Sequence, residues 1–475
     1  MALITLTPAD DNTLTGAAGD TIFGLTGNDT VRGLGPNLIM SGNQGNDSLV
    51  GSGPNSTIYG GQGSDNLASV SQSLLYGDKN NDTLKATFSD TLLGGPDNDV
   101  MYGAQSSILY GGKGKDSLVG ASGATLYGDA DNDTLIGTGG GLLYGDNLSE
   151  TVTGGNDSLY GLAGDSLFGN GGNDTLYAKA AAVLYGNQGD DMLTVESGVT
   201  GVTMYGGQGS DMLMSTGGNI LRGDKGDDSL VAGNQGGKAD TLFGGEGNDS
   251  LSCTDGGDYI VGGTSALGSD TADGADFVDA KNGDDTIYAG AGGDRVNAGD
   301  GKDTIFGEAG NDSILAADGD DSIIGGEGSD TLLGWRGNDY LQGDAGADYF
   351  LFVAGTATGI SGLGTIGSIS ELGVDTILGF EVGTDKIVLD GGPSGGTAGQ
   401  FPGQLFGALS VTVPISLSIV TGSGTASADT ADGLMVYNST TGALFYNPQS
   451  SPGDAISFVT LDIGLALSPT DFIIV

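Results

Sequence analysis

The chain has no histidine and only one cysteine and one tryptophan in 475 residues, and its 14 lysines and arginines stand against 61 aspartates and glutamates. Without an imidazole there is no histidine general base, no Ser-His-Asp triad and no histidine metal ligand. No P-loop or dinucleotide fingerprint points to nucleotide chemistry either. A lone Cys253, two residues after Leu251, supports no disulfide framework and reads as a small buried or half-exposed thiol rather than a nucleophile. So few bases leave no footprint for nucleic acid and disfavour adhesion to anionic membrane by charge. No stretch approaches ~20 apolar residues, so no helix is expected to span a bilayer. The opening Met1-Ala-Leu-Ile-Thr-Leu6 has neither the basic region nor the apolar run of a cleavable signal peptide.

What is abundant is glycine, 95 residues, and acid, which sets the formal charge at −47. Composition alone would suggest disorder, because little apolar surface is available to offset ordering entropy. Periodicity argues otherwise. Aspartates recur at Asp29, Asp47, Asp65, Asp82, Asp99, Asp116 and Asp133, at intervals of 18, 18, 17, 17, 17 and 17, and the pattern continues through Asp157, Asp174, Asp191, Asp211, Asp228 and Asp249. From Asp276 the spacing tightens to nine: Asp285, Asp294, Asp303, Asp312, Asp321, Asp330, Asp339 and Asp348. A fixed short period predicts a solenoid in which each repeat buries its apolar residue only against its neighbours.

The repeat units read Gly42-Asn-Gln-Gly-Asn-Asp47-Ser-Leu49, Gly60-Gly-Gln-Gly-Ser-Asp65-Asn-Leu67, Gly111-Gly-Lys-Gly-Lys-Asp116-Ser-Leu118 and Gly325-Gly-Glu-Gly-Ser-Asp330-Thr-Leu332. Glycine allows the positive φ of a tight turn and lets backbone carbonyls converge on an ion. Aspartate offers the hard oxygen that Ca²⁺ prefers, and two stacked turns can together reach six to eight oxygen ligands. The aliphatic residue two places later points inward from a short strand. If each aspartate of the ladder helps to hold one Ca²⁺, roughly twenty ions add about +40 and nearly cancel the formal charge. The units match G-G-x-G-x-D-x-U-x, and over roughly residues 13 to 350 the chain resembles the RTX calcium-binding β-roll family. That resemblance implies an all-β fold, a long parallel β-roll, and a folding switch: disordered without calcium, folded in millimolar extracellular calcium.

Spacing divides the roll. A β-roll coil has two turns; both carry Asp over residues 276–348, which predicts calcium on both edges. Over residues 1–275 only alternate turns do, as in Ala121-Ser-Gly-Ala-Thr-Leu126, and the second edge holds acid only at Asp20, Asp90, Asp165 and Asp240. Residues 349–475 lose the period and alternate like short strands, with a hairpin pattern at Leu434-Met-Val-Tyr437 and Ala443-Leu-Phe-Tyr446, so a small antiparallel β cap is expected. Asp375-Thr-Ile-Leu-Gly-Phe380, Asp385-Lys-Ile-Val-Leu389, Tyr437-Asn to Leu-Phe-Tyr446 and the final Asp471-Phe-Ile-Ile-Val475 resemble the end of type I secreted RTX proteins. This likeness implies an uncleaved C-terminal signal and the type I secretion machinery as a partner.

A second pattern is aromatic. Tyr59, Tyr76, Tyr110, Tyr127 and Tyr144 each follow an inward aliphatic residue just before a calcium turn, with Leu93 in the gap and Tyr185 and Tyr205 beyond. Side-chain alternation turns these rings outward, one coil apart, where they can stabilise the roll, meet another molecule or bind glycan. Acid pairs such as Asp190/Asp191 and Asp320/Asp321 fall in the calcium turns, which favours ligand or turn roles over glycosidase chemistry. Irregular turn residues Gln44, Gln62, Lys79, Lys113 and Ala130 argue against an ice-binding ladder. The reading is of a non-enzymatic, secreted, calcium-dependent structural protein that assembles with itself at the bacterial cell surface or in extracellular matrix, as a surface layer, sheath or filament subunit. An N-terminal coil with no evident cap, whose strand edge can template another chain, points the same way. The alternatives are a carbohydrate-binding adhesin that uses the tyrosine row on a cell-surface polysaccharide, and an accessory partner of an exported enzyme.

Overall fold

The computed structural model describes residues 2–146, 154–233, 236–264, 273–353, 373–390, 416–420, 434–447 and 456–474. Among them every regular element is a strand, apart from a 3-10 turn at Pro469–Asp471. The chain divides into two compact units, Met1–Leu230 and Val231–Val475.

In the first unit each coil contributes one strand to each of two parallel sheets. Thr57–Gln62 lies in the first sheet, the chain turns through Asp65 into Asn66–Ala68 of the second, and a second turn leads to Leu74–Lys79, back in the first. The returning strand pairs in register with its predecessor, Thr57 opposite Leu74, Ile58 opposite Leu75 and Tyr59 opposite Tyr76. Alternation on a strand then sends the middle residue of each triplet inward. Ile58, Leu75, Leu92, Leu109 and Leu126 form one buried column, and Leu67, Leu84, Met101, Leu118 and Leu135 face them from the second sheet. Each such side chain contributes about 1.5–3 kcal/mol by burial. The core is only these two columns thick, so cohesion between coils rests on their stacking and on the turns.

In the second unit both sheets carry six-residue strands, such as Ser313–Asp318 and Ser322–Glu327, because both turns now carry the full glycine-rich repeat. Its core columns run through Ile287, Ile305, Ile323, Leu341 and Ile377 on one side and Val296, Ile314, Leu332, Phe350 and Ile387 on the other. Phe472–Ile474 adds to the second sheet in parallel beside Lys386–Asp390. Leu434–Asn438 and Ala443–Asn447 form the expected antiparallel hairpin, and Ile456–Thr460 extends it antiparallel. The loop closes because the Asn438 side chain accepts from the N–H groups of Thr440 and Thr441, while Gly442 takes φ +77° and donates to the Asn438 carbonyl. Buried Tyr437 donates its hydroxyl to the Asp462 carbonyl and accepts from the Leu465 N–H. An antiparallel β cap thus follows the parallel coils.

Candidate metal centre

The first six residues of each repeat build one turn. Asn43, Gly61, Asp78, Gly95, Gly112 and Asp129 all occupy its second position with φ between +72° and +119°. Glycine, Asn and Asp tolerate that region best, which explains why they alternate there. The turn aims the aspartate at its end back into the roll, so the ladder carboxylates are buried.

Each carboxylate uses its two oxygens differently. Oδ1 accepts the backbone N–H of the equivalent aspartate one coil earlier: Asp47 donates to Asp65 at 2.8 Å, Asp65 to Asp82 at 2.7 Å, Asp99 to Asp116 at 2.7 Å and Asp116 to Asp133 at 2.7 Å. Oδ2 is buried and accepts no hydrogen bond at Asp29, Asp47, Asp65, Asp82, Asp99, Asp116, Asp133, Asp157, Asp174, Asp191 and Asp211. In the second unit the same holds at Asp276, Asp285, Asp294, Asp303, Asp312, Asp321, Asp330, Asp339 and Asp348, whereas the Asp258 carboxylate takes a hydrogen bond from the Cys253 thiol. Asp228 and Asp249 are also buried rungs, and Asp249 donates its N–H to Asp276 in the same manner.

The space before most of the orphaned oxygens is kept by glycine, with Ala280, Ala289, Ala298 and Ala316 at the matching position before Asp285, Asp294, Asp303 and Asp321. A Cβ on Gly77 would lie 2.5 Å from Asp82 Oδ2 and 2.6 Å from the carbonyl oxygen of Gly94. On Gly111 it would meet Asp116 Oδ2 and lie 2.5 Å from the Gly128 carbonyl. At the glycine rungs a carboxylate oxygen of one turn and a carbonyl oxygen of the next therefore converge on a cradle that a Cβ would crowd. Among the described residues no group of three or more His, Cys, Asp or Glu side chains comes together, so backbone carbonyls are the remaining donors. A buried carboxylate with no counter-charge is strongly destabilising. Burial pushes the Asp82 carboxyl up to about 8, Asp116 to about 6, and Asp133 and Asp174 to about 9. Hard oxygens in a carbonyl-rich, adaptable cradle fit Ca²⁺ better than Mg²⁺, which demands octahedral geometry and keeps its waters.

The opposite edge differs between the units. In the first unit its rungs are closed by hydrogen bonds. Asp20 Oδ2 accepts from the Ala17 N–H at 2.8 Å, Asp165 Oδ2 from Leu162 at 2.7 Å, and Asp90 Oδ2 from Thr87 at 3.0 Å and the Ser69 hydroxyl at 2.8 Å. Ser56 and Ser73 occupy other rungs, with the Ser56 N–H donating to Ser73 Oγ at 3.1 Å. These are four-residue turns with positive φ at the third position, +79° at Gly19 and +71° at Gly123, as type II turns require. In the second unit the edge changes character: Asp240 donates its N–H to Asp258, Asp258 to Asp285, Asp285 to Asp303, and so on to Asp339.

Three rungs lie outside the expected set. Asp258 follows two glycines directly in Gly256-Gly-Asp-Tyr-Ile260, so it breaks the hexapeptide while keeping an aliphatic residue two places on. Asp375 and Asp385 accept the N–H groups of Asp339 and Asp348, at 3.0 and 3.1 Å. The Asp-Thr-Ile and Asp-Lys-Ile strings of the C-terminal resemblance thus also carry ladder rungs, which the Asp-x-Ile spacing signals. At Asp385 the second oxygen is satisfied by the Glu381 N–H.

Cys253 is 1% exposed, and burial, with Asp258 and Asp240 nearby, drives its thiol far above its ordinary range. Alkylation of this thiol is expected to be at least about 100-fold slower in calcium than in chelator, because reaction needs local opening. Equal rates measured with a thiol reagent would contradict this packing.

The tyrosine row is a stack. Tyr59 and Tyr76 lie 4.8 Å apart at 8°. Tyr110, Tyr127, Tyr144, Phe168, Tyr185 and Tyr205 form a continuous run at 4.8–4.9 Å with interplanar angles of 1–11°. Phe168 is a member that attention to tyrosine alone passes over. Inside the run the ring faces meet one another, which leaves edges rather than faces for a sugar ring.

A family model of the RTX calcium-binding nonapeptide repeat matches residues 14–35, 41–69, 76–107, 103–124, 125–141, 151–181, 215–235, 235–266, 270–305, 288–323, 298–332 and 315–350. These segments span more than half of the chain, and with the parallel β-roll they define a calcium-binding repeat protein. The chain belongs to the RTX calcium-binding nonapeptide repeat family. No curated protein matches it.

Proposed function

We propose that the protein is a secreted structural element whose coils are joined by Ca²⁺, and that it assembles with itself at the bacterial cell surface or in extracellular matrix. The ligands are the Oδ2 atoms of the ladder aspartates, with glycine carbonyls of the adjoining turns completing each shell. Calcium supplies the positive charge that lets these carboxylates stay ionised while buried. The observation that carries the reading is the recurrent orphaned Oδ2, found on both edges of the second unit and faced by a glycine cradle at most rungs of the ladder from Asp29 to Asp348 and at Asp339. In the first unit the hydrogen-bonded second edge needs no ion, so calcium runs along one edge there. A C-terminus that resembles type I secretion signals supports export before folding.

Metal analysis after dialysis against calcium tests the first half: about twenty bound ions per chain are expected. Fewer than about five would overturn the assignment. Electron microscopy with and without calcium tests the second half, and monodisperse monomers in millimolar calcium would sink the assembly claim.

A further inference from the structure

The outward face of the first sheet in the first unit is poor in acid for so acidic a chain, as is that of the second sheet, and it alone carries a continuous aromatic stack. Twelve parallel strands, from Thr21–Thr26 to Ile220–Lys225, present two outward columns in register. One column begins at Thr21 and includes Ile39, Ile108, Leu142 and Ile220, which are among the exposed large hydrophobic residues. The other begins at Phe23, carries the aromatic stack and ends at Arg222, the single charged residue of either column. Neither column contains a carboxylate, although the chain has 61 acids.

We infer that this face is the contact between two copies of the chain, packed sheet on sheet. The inference rests on the self-assembly reading above and names its surface. At a strand spacing of about 4.8 Å the face is roughly 55 Å long and 12 Å wide, about 650 Å² per copy. That exceeds the 300–600 Å² of the largest apolar patch on a typical monomer, and two such faces clear the ~1,000 Å² total of a specific interface. Two chains of like charge repel wherever their acidic turns approach. Face-to-face packing holds those turns at the margins and buries two columns whose one charge is Arg222 at the end. Ring stacking fixes the aromatic side chains before contact, which lowers the entropy lost on association. A two-fold contact of a face with itself, strands within about 30°, satisfies the packing preference of aligned sheets.

Sedimentation velocity of the full chain in millimolar calcium tests this. The wild type is expected to sediment as a dimer or larger. Ile108→Glu combined with Leu142→Glu, at sites 37% and 39% exposed, is expected to raise the dissociation constant about 100-fold while circular dichroism is unchanged. Ile136→Glu, 37% exposed on the other sheet, is expected to leave association intact. If the double variant loses its fold, Ile39→Glu alone carries the test. Association that survives in folded face variants would overturn the face and leave self-assembly standing. Wild-type monomers at every concentration would overturn both, and so would a monomer that instead retains an extracellular polysaccharide through this face.

Discussion

Chelation of calcium at neutral pH is expected to abolish the parallel β-structure, and acidification of the same calcium-free sample is expected to bring compact structure back. Both results follow from the buried carboxylates. Burial places the folded-state values of Asp65, Asp99, Asp157 and Asp191 at about 7, Asp82 and Asp211 at about 8, and Asp133 and Asp174 at about 9. An exposed aspartate titrates at about 3.9. The folded calcium-free chain therefore holds more protons than the unfolded one, and folding is favoured as the pH falls. This contribution is complete below about pH 4 and is lost as the pH rises through about 6 to 9. With calcium the sign for binding is opposite, because protons compete for the same oxygens and weaken the ion as the pH drops. Circular dichroism and small-angle scattering across a pH series in chelator check the claim. A chain that remains folded in chelator at pH 8 would show that the ladder carries its own charge without a cation.

A single break in the metal edge is expected to cost far more than one in the opposite edge. Asp116→Ala removes a proposed ion ligand and strands the buried N–H of Asp99. Together these are expected to cost about 3 kcal/mol or more. Gly111→Ala keeps the carboxylate but crowds the cradle before it, and should weaken binding of the same ion without abolishing it, since Ala280 and Ala298 hold the matching position before Asp285 and Asp303. Ser107→Ala, which removes only the acceptor of a 3.3 Å bond from the Asp90 N–H, should cost about 1 kcal/mol with no change in calcium content. In a solenoid the damage should stay with neighbouring coils. Calcium-dependent unfolding midpoints and metal counts for the three variants discriminate the effects, and equal losses at Asp116 and Ser107 would refute the asymmetry.

Much of this was legible because the repeat states its own geometry. Gly-x-x-Gly-x-Asp followed by an aliphatic residue fixes turn, rung and core position together, as at Gly60 to Leu67, where Asp65 and Leu67 are both buried. Where the glycine grammar lapses the signal thins: Asp258 keeps only the Asp-x-Ile part. The division of labour between Oδ1 and Oδ2 depends on the coil before, so no single repeat contains it. The hydrogen-bonded second edge was equally hidden. Asp90 looks like a stray ligand in sequence, yet its second oxygen is engaged by Thr87 and Ser69, residues whose approach only the turn geometry determines.

The rungs are also indifferent to how much chain separates them. The same N–H to Oδ1 bond joins Asp116 to Asp133 over 17 residues, Asp133 to Asp157 over 24, Asp249 to Asp276 over 27 and Asp348 to Asp385 over 37. Register is thus held by contact with the coil beneath, not by the length of the strand-to-strand connection. A lineage can lengthen a turn, or an engineer can splice a peptide into one, and the next coil will still find its place. The roll is a scaffold on which foreign sequence can be hung at chosen heights, each insertion site addressed by counting aspartates.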